Sequence, residues 1–434
     1  MIRKNVLKFC FLSYILILSI CLNSDNLEIS DSISVNVSAF TNISKIIIAS
    51  NEDFQSYNFS GVGSYNDPYI IDGYEILDSG IGISISNTSA NFVISNCKIE
   101  SVSSGYGIFI SDISSNFSIE GCLISTQYEC IEVYNVKADN VEIKGNTVGN
   151  NGFIITTGIH VKNSSLVTIS DNYCERNVDG IFVEMSHNTV IENNRCLDAR
   201  IRVVSSNMTT IVDNRCFELS IAFCHFSSIN NNFCDGKEKT DKIVYIEYSS
   251  NLNITENTII NSWQLGFMGF YLEDSLIISN VFQDNRQYGL ALFYGSTYED
   301  IGHSIIYLNS FYHNSFEDEV YDSNSQALDH GNNTWYNEET SEGNYWDDRD
   351  KGEIYSIDGY SNAYDLFPLD KPSKPKYSGS FQVLVFTIIG LLSIILWRKN
   401  KKKGIVFSYY SPFFILTMLP IERRRTRILF HLLE

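Results

Sequence analysis

Four short segments between residues 171 and 234 hold residue types that often do chemistry. They are DNYC, NNRC, DNRC and NNFC, each an Asn followed two residues later by Cys174, Cys196, Cys216 or Cys234. Regularly spaced cysteines beside polar residues can bind zinc, form disulfides, or simply repeat. Their spacings are 22, 20 and 18 residues, whereas zinc ligands come in close-set cysteine pairs. A repeating element therefore accounts for them better than a metal site. The residue between Asn and Cys is Arg195 in the second segment and Arg215 in the third. Of the seven arginines between the basic ends, five (Arg176, Arg195, Arg200, Arg202, Arg215) fall within residues 176–215. Guanidinium forks bind carboxylates in bidentate fashion, and aromatic faces stack on sugars or on Arg.

Positioning these residues requires a repeating scaffold. Extended in both directions, the unit becomes Ile, two residues, Asn or Cys, one residue, then an apolar residue. It occurs ten times, with Ile at 94, 119, 143, 169, 191, 211, 229, 254, 277 and 306. Each unit carries a second alternating run, such as GIFI (107–110), GIHV (158–161) or GIFV (180–183). Short strands with no helical period between them predict an all-β fold, a right-handed parallel β-helix of about ten or more rungs. Stacked rungs put equivalent positions in ladders about 4.8 Å apart. Ile fills the core, because β-branched side chains suit a pleated surface. Asn takes a bend, where its amide bonds its own backbone and the Asn of the next rung. The four cysteines join a core ladder with Ile99, Ile124, Val148, Ile259, Phe282 and Phe311, so they are expected as free, buried thiols.

Alternation then points the residue between Asn and Cys outward. That column reads Lys98, Leu123, Thr147, Tyr173, Arg195, Arg215, Phe233. Two arginines flanked by Tyr173 and Phe233 make a strip about 15 Å long, enough for two or three sugar units. Tyr173, Arg195, Arg215 and Phe233, with Arg200 and Arg202, are the candidate ligand-binding residues. The other reading of these arginines is that they pair with the acids of a very acidic surface. Asp171, Asp213 and Glu192, with Asp198, lie close in repeat terms and are candidate Ca²⁺ ligands; no other cofactor is expected.

The two ends carry a different signal. The chain has 434 residues and a net charge of −20. Residues 1–8 and 398–434 hold 12 of the 31 basic residues and 2 of the 51 acidic ones, so the part between them carries −30. Nucleic acid is excluded as a partner of that acidic body. MIRKNVLK followed by the apolar run FCFLSYILILSICL reads as a signal peptide over residues 1–22. FQVLVFTIIGLLSIILW (381–397) reaches about 25 Å as a helix and is followed by RKNKKK, the mark of a cytoplasmic flank. The expected order is therefore a signal peptide (1–22), a cap or linker (23–62), the β-helix (63–370) and a stalk (371–380). A transmembrane helix (381–397) and a basic cytoplasmic or interfacial tail (398–434) follow.

The opening GSYNDPYIIDGYEI (63–76) and the closing EGNYWDD and YSIDGYSNAYDLFPL (within 342–369) resemble those of NosD-type β-helix proteins, and the repeats resemble those of pectin-lyase-like proteins. The resemblance covers about residues 63–370. It implies a secreted or membrane-anchored protein, many of whose relatives are archaeal. The family name implies copper handling, and the wider superfamily implies carbohydrate binding or cleavage. Copper requires clustered His, Met or Cys, and the seven His are scattered along the sequence. NVDGIF (177–182) resembles the Asn-x-Asp segment of polygalacturonases, which would make Asp179 a catalytic acid. The Asp-Asp, Gly-His-Gly and Arg-x-Lys segments that accompany it there have no counterpart at suitable positions. A uronate lyase would instead use Ca²⁺ or Arg195 and Arg215 to neutralise the sugar carboxylate, and a base to take the adjacent proton. In GNYWDD, Tyr345 and Trp346 suit a plug over the last rung.

Together these features describe a single-pass cell-surface protein with an extracellular β-helix. The expected activity is binding of carbohydrate or a surface-layer partner without catalysis. Three alternatives stand beside it: a polysaccharide lyase or hydrolase acting on acidic glycans, a structural stalk, and a NosD-like copper-handling accessory protein.

Overall fold

Alternating Ile residues can bury one face of a short strand only if another strand covers it, and the chain solves this by coiling. The computed structural model describes residues 40–77, 80–100, 105–150, 156–295, 301–315, 325–375 and 377. Among them the strands form a parallel β-solenoid of right-handed type with three faces. One face is a 12-stranded parallel sheet. Its central ladder runs Ile71, Ile94, Ile119, Ile143, Ile169, Ile191, Ile211, Ile229, Ile254, Ile277 and Ile306, all buried. Each such burial contributes about 1.5–3 kcal/mol before chain entropy is set against it.

After each Ile the chain bends into the second face. The bend residue takes a left-handed conformation: Asn96 (φ 48), Gly121 (60), Gly145 (63), Asp171 (56), Asn193 (55), Asp213 (57) and Asn231 (52). Gly, Asn and Asp tolerate that region best and recur on these rungs, while Glu256 (φ 61), Ser279 (57) and Leu308 (57) hold the same conformation at the later bends. The next residue is the ladder position, held by Cys97 and Cys122 on the first two of these rungs and by Asn from Asn146 on. Asn214 shows its geometry. Its Nδ2 donates to Ile191 O at 2.8 Å and to Asn232 Oδ1 at 3.0 Å, while its Oδ1 accepts from Asn194 N at 2.9 Å. The same pattern holds from Asn146 to Asn309, and these amides are buried.

On the second face the core ladder reads Ile76, Ile99, Ile124, Val148, Cys174, and then Cys196, Cys216, Cys234, Ile259, Phe282, Phe311 and Trp346. The eight described cysteines are free and buried. The Sγ atoms of Cys216 and Cys234 are 3.0 Å apart. The third face carries the second alternating run of each rung, with Ile83, Ile108, Ile131, Ile159, Ile181, Ile201, Leu219 and Val244 inward.

Both ends of the core are covered by aromatic residues. At the start, a single-turn helix, Asp53–Ser56, places Phe54 on Tyr69 (ring centroids 4.5 Å apart). Strands at Thr41–Asn42 and Ile46–Ile48 already pair with the rung above, upstream of Gly63 where the repeat becomes legible. At the far end Trp346 stacks between Phe311 (4.1 Å) and Tyr355 (3.9 Å), and its indole donates to Asp365 Oδ2 at 2.9 Å.

The segment after the cap does not project freely. Lys374 N donates to Ser310 Oγ, Tyr312 Oη donates to Lys374 O, and Tyr377 N donates to Gln283 Oε1. Residues 373–375 and 377 therefore lie along the second face. The expected signal peptide, transmembrane helix and basic tail lie outside the described residues. Among the described residues no helix is long and apolar enough to cross a membrane.

Candidate functional site

Charged side chains at outward positions of the second and third faces form three groups. On the second face Tyr173, Arg195, Arg215 and Phe233 stand in register on successive rungs. Cys196 and Cys216 beside the arginines point into the core, so the arginines point out. The Arg215 guanidinium lies 4.9 Å from the centre of the Phe233 ring. Its Nε is buried without a hydrogen-bond partner, and Arg215 makes no ion pair among the described residues. Phe233 also meets Tyr377, with ring centroids 4.8 Å apart. The strip therefore ends against the segment that follows the cap.

Arg200 and Arg202 are not part of this strip. They share a strand, Arg195–Val204, with Arg195, but the register shifts between Cys196 and Arg200 as the chain rounds the corner. Both arginines therefore emerge on the third face. There Arg200 Nε binds Asp179 Oδ1 at 2.6 Å, and its Nη1 lies 3.6 Å from Glu218. Burial opposes the charge on Arg200, but the bond to Asp179 outweighs it and raises the Arg200 pKa. Arg202 lies over the Phe182 ring at 4.7 Å and 3.9 Å from Asp179 Oδ2. Asp179 is thus held between two arginines on a different face from Arg195 and Arg215. The three catalytic candidates Asp179, Arg195 and Arg215 do not converge.

The candidate Ca²⁺ ligands do not converge either. Asp171 and Asp213 occupy the left-handed bend two rungs apart, with Asn193 between them. That separation is roughly 10 Å, too far for one ion held at about 2.4 Å from each oxygen. Glu192 ends a strand on the first face, paired with Ser170 and Val212. Asp198 is bound by Lys237 at 2.8 Å.

A third group sits on the third face, next to Asp179, and the sequence reading missed it. Glu129, Glu132 and His160 bring three ligating atoms within 4.8 Å of one another. All three residues are at least nine-tenths buried. His160 Nδ1 lies 3.1 Å from Glu129 Oε1 and 4.0 Å from Glu132 Oε1, while Nε2 lies 3.3 Å from Glu184 Oε1. The imidazole stacks on Phe182 at 4.7 Å with the planes 9° apart, so its orientation is fixed from the neighbouring rung. Lys162 Nζ holds Glu184 at 2.6 Å. Glu129 Oε2 and Glu132 Oε2 are buried and have no hydrogen-bond partner.

Burial pushes Glu132 up to about 7, with the charge of Glu129 adding to the effect and His160 opposing it. Burial disfavours the His160 imidazolium, but Glu129, Glu132 and Glu184 outweigh it and raise its pKa. One signal for this group was available in the sequence. Aligning ECIEVY (129–134) with GIFI, GIHV and GIFV gives the outward ladder Phe109, Glu132, His160, Phe182, Arg202.

One imidazole with two carboxylates suits a divalent ion of borderline softness, such as copper(II) or zinc. It does not suit copper(I), which prefers thiolate and thioether donors, and the described cysteines face the core.

A family model described as periplasmic copper-binding protein (NosD) matches residues 133–216 and 153–351, half of the chain when joined. No curated protein sequence matches the chain. Among solved structures, the chain is similar to the A-module of mannuronan C-5 epimerase AlgE6 from Azotobacter vinelandii. The identity is 12% over 62% of this chain and 89% of that one, with a TM-score of 0.38. It is also similar to a mutant of the periplasmic alginate epimerase AlgG, at 13% identity over 67% and 84%, with a TM-score of 0.33. A third is the DFA-IIIase of Arthrobacter chlorophenolicus, at 10% identity over 58% and 75%, with a TM-score of 0.34. Likenesses this distant carry no argument about chemistry.

Proposed function

Since the chain belongs to the NosD family of periplasmic copper-binding proteins, we propose that it works outside the cytoplasm, as a membrane-anchored protein that binds acidic glycan without cleaving it. The observation that carries this reading is Arg215. In a chain of 51 acidic and 31 basic residues, most exposed cations have a carboxylate to meet. Arg215 instead stacks on Phe233, in register with Arg195, and makes no ion pair among the described residues. A guanidinium held over an aromatic ring can present its fork to a carboxylate from solution. Rungs about 4.8 Å apart, repeated along the strip, match the repeating anions of a polyuronate.

The absence of cleavage rests on the position of the acids. Proton abstraction needs a base within hydrogen-bond reach of the sugar. Asp179 is the acid in the most suggestive motif, and it is occupied by Arg200 on the next face.

The full chain, purified in detergent, should be retained on immobilised polyuronate and released by salt. Arg195→Ala combined with Arg215→Ala should abolish retention. Incubation with soluble polyuronate should give no rise in the absorbance of unsaturated uronate. A rise would make the protein a lyase. Equal retention of the double variant, or no retention of the parent chain, would remove the proposed site.

A further inference from the structure

The group on the third face has features that a surface ion-pair network does not need. Two carboxylates are brought together on one rung at a buried position, where their mutual repulsion is costly. One oxygen of each, Glu129 Oε2 and Glu132 Oε2, makes no aligned hydrogen bond although the residues are at least nine-tenths buried, and the Tyr106 hydroxyl is the protein group beside Glu132. Buried acceptors are rarely left so unless something else fills the space between them.

His160 completes the set from the next rung. Its Nδ1 faces the two glutamates, and its other nitrogen lies 3.3 Å from Glu184, which Lys162 holds in place. A carboxylate on the far nitrogen is the usual means of orienting a metal-bound histidine. The contact lacks hydrogen-bond alignment, so the ring must turn slightly to complete it. Donors around a tetrahedral ion at about 2.1 Å stand roughly 3.4 Å apart. The observed 3.1 and 4.0 Å from Nδ1 require only small side-chain rotations to reach that spacing. The nearby arginines do not intrude, because Arg200 is bound by Asp179 and Arg202 lies over Phe182.

We propose that Glu129, Glu132 and His160 bind one divalent first-row metal ion, with copper(II) preferred over zinc. The preference follows the general order of affinity for nitrogen and oxygen donors. This site stands apart from the arginine strip, on another face and on earlier rungs, so either can fail without the other.

The test uses the full chain in detergent, stripped with a chelator and dialysed against buffered Cu²⁺ or Zn²⁺. One ion per chain should remain, and the Cu²⁺ form should show electron spin resonance coupling to a single imidazole nitrogen. His160→Gln, and Glu129→Gln with Glu132→Gln, should each lose that ion. His225→Gln, which alters a histidine away from the group, should keep it. Glu184→Gln retains all three donors and should bind about 10–100-fold more weakly. Because these variants change buried positions, thermal unfolding of each metal-free form shows whether it is folded. Cu²⁺ held equally by the folded His160→Gln and Glu129→Gln/Glu132→Gln forms would be adventitious and would overturn the site. So would retention of Ca²⁺ or Mg²⁺ with no Cu²⁺ or Zn²⁺.

Discussion

Glu132 is the residue whose chemistry departs furthest from its ordinary behaviour with a usable consequence. Burial and the neighbouring Glu129 lift its pKa from 4.5 to about 7, and His160 is lifted above its usual 6.5 by the same carboxylates together with Glu184. In the unfolded chain both return to ordinary values, so the folded protein binds these protons more tightly. Stability gained in this way is complete below about pH 4.5 and is lost as pH rises through about 7. The metal-free protein should therefore become less stable across that window, as followed by urea unfolding at a series of pH values. Other acids contribute a general slope, so the informative quantity is the difference from Glu132→Gln. That variant should have a flatter profile between pH 4.5 and 7, and identical profiles would show that Glu132 does not titrate there. The residue type at this outward position does not repeat, since the packing that repeats Ile and Asn does not act there, so only aligning the second run of each rung brings Glu132 and His160 together across 28 residues.

The element that the sequence made most legible is the ladder, because its chemistry repeats. A buried Asn at each bend must satisfy its amide and also serve the backbone of the rung below, and no other side chain does both. Asn214 bonds Ile191 O, Asn232 Oδ1 and Asn194 N, and is fully buried. Asn214→Ala removes those bonds and leaves Ile191 O and Asn194 N, two backbone groups of the rung below, without these partners in the core. A loss of roughly 2–4 kcal/mol is expected from the bonds and the orphaned groups together, measured as a lower urea midpoint followed by circular dichroism. A change below about 0.5 kcal/mol, the scale of an ordinary surface substitution, would mean that the ladder is not a stabilising element. Corners were less legible. Alternation counted straight through 195–204 puts Arg200 and Arg202 on the opposite side of the strand from Arg195, but the register shift after Cys196 turns all three outward, the last two on another face. A strand that bends has no sequence signature of its own when its residues are otherwise ordinary for a strand.

At the scale of the whole molecule, charge and chain order bear on where the protein works. The part between the basic ends carries −30, while basic residues cluster at both extremes. An acidic body is repelled by anionic lipid headgroups, and lysines and arginines beside an apolar segment stay on the cytoplasmic side. RKNKKK follows residues 381–397 at once, so the solenoid is expected outside the cell and the last residues within it. The solenoid is expected to resist proteolysis, because its inner strands are paired on both sides and its ends are covered by Phe54 and Trp346. Accessibility is therefore better read by a label than by cleavage. A membrane-impermeant amine reagent applied to intact cells should modify exposed body lysines such as Lys45 and Lys351. It should leave Lys401, Lys402 and Lys403 unmodified until the cells are permeabilised. Labelling of both groups in intact cells, or of neither, would contradict a single crossing at 381–397. Labelling of the terminal lysines alone would invert the orientation, leaving the arginine strip and the Glu129–Glu132–His160 group on the cytoplasmic side.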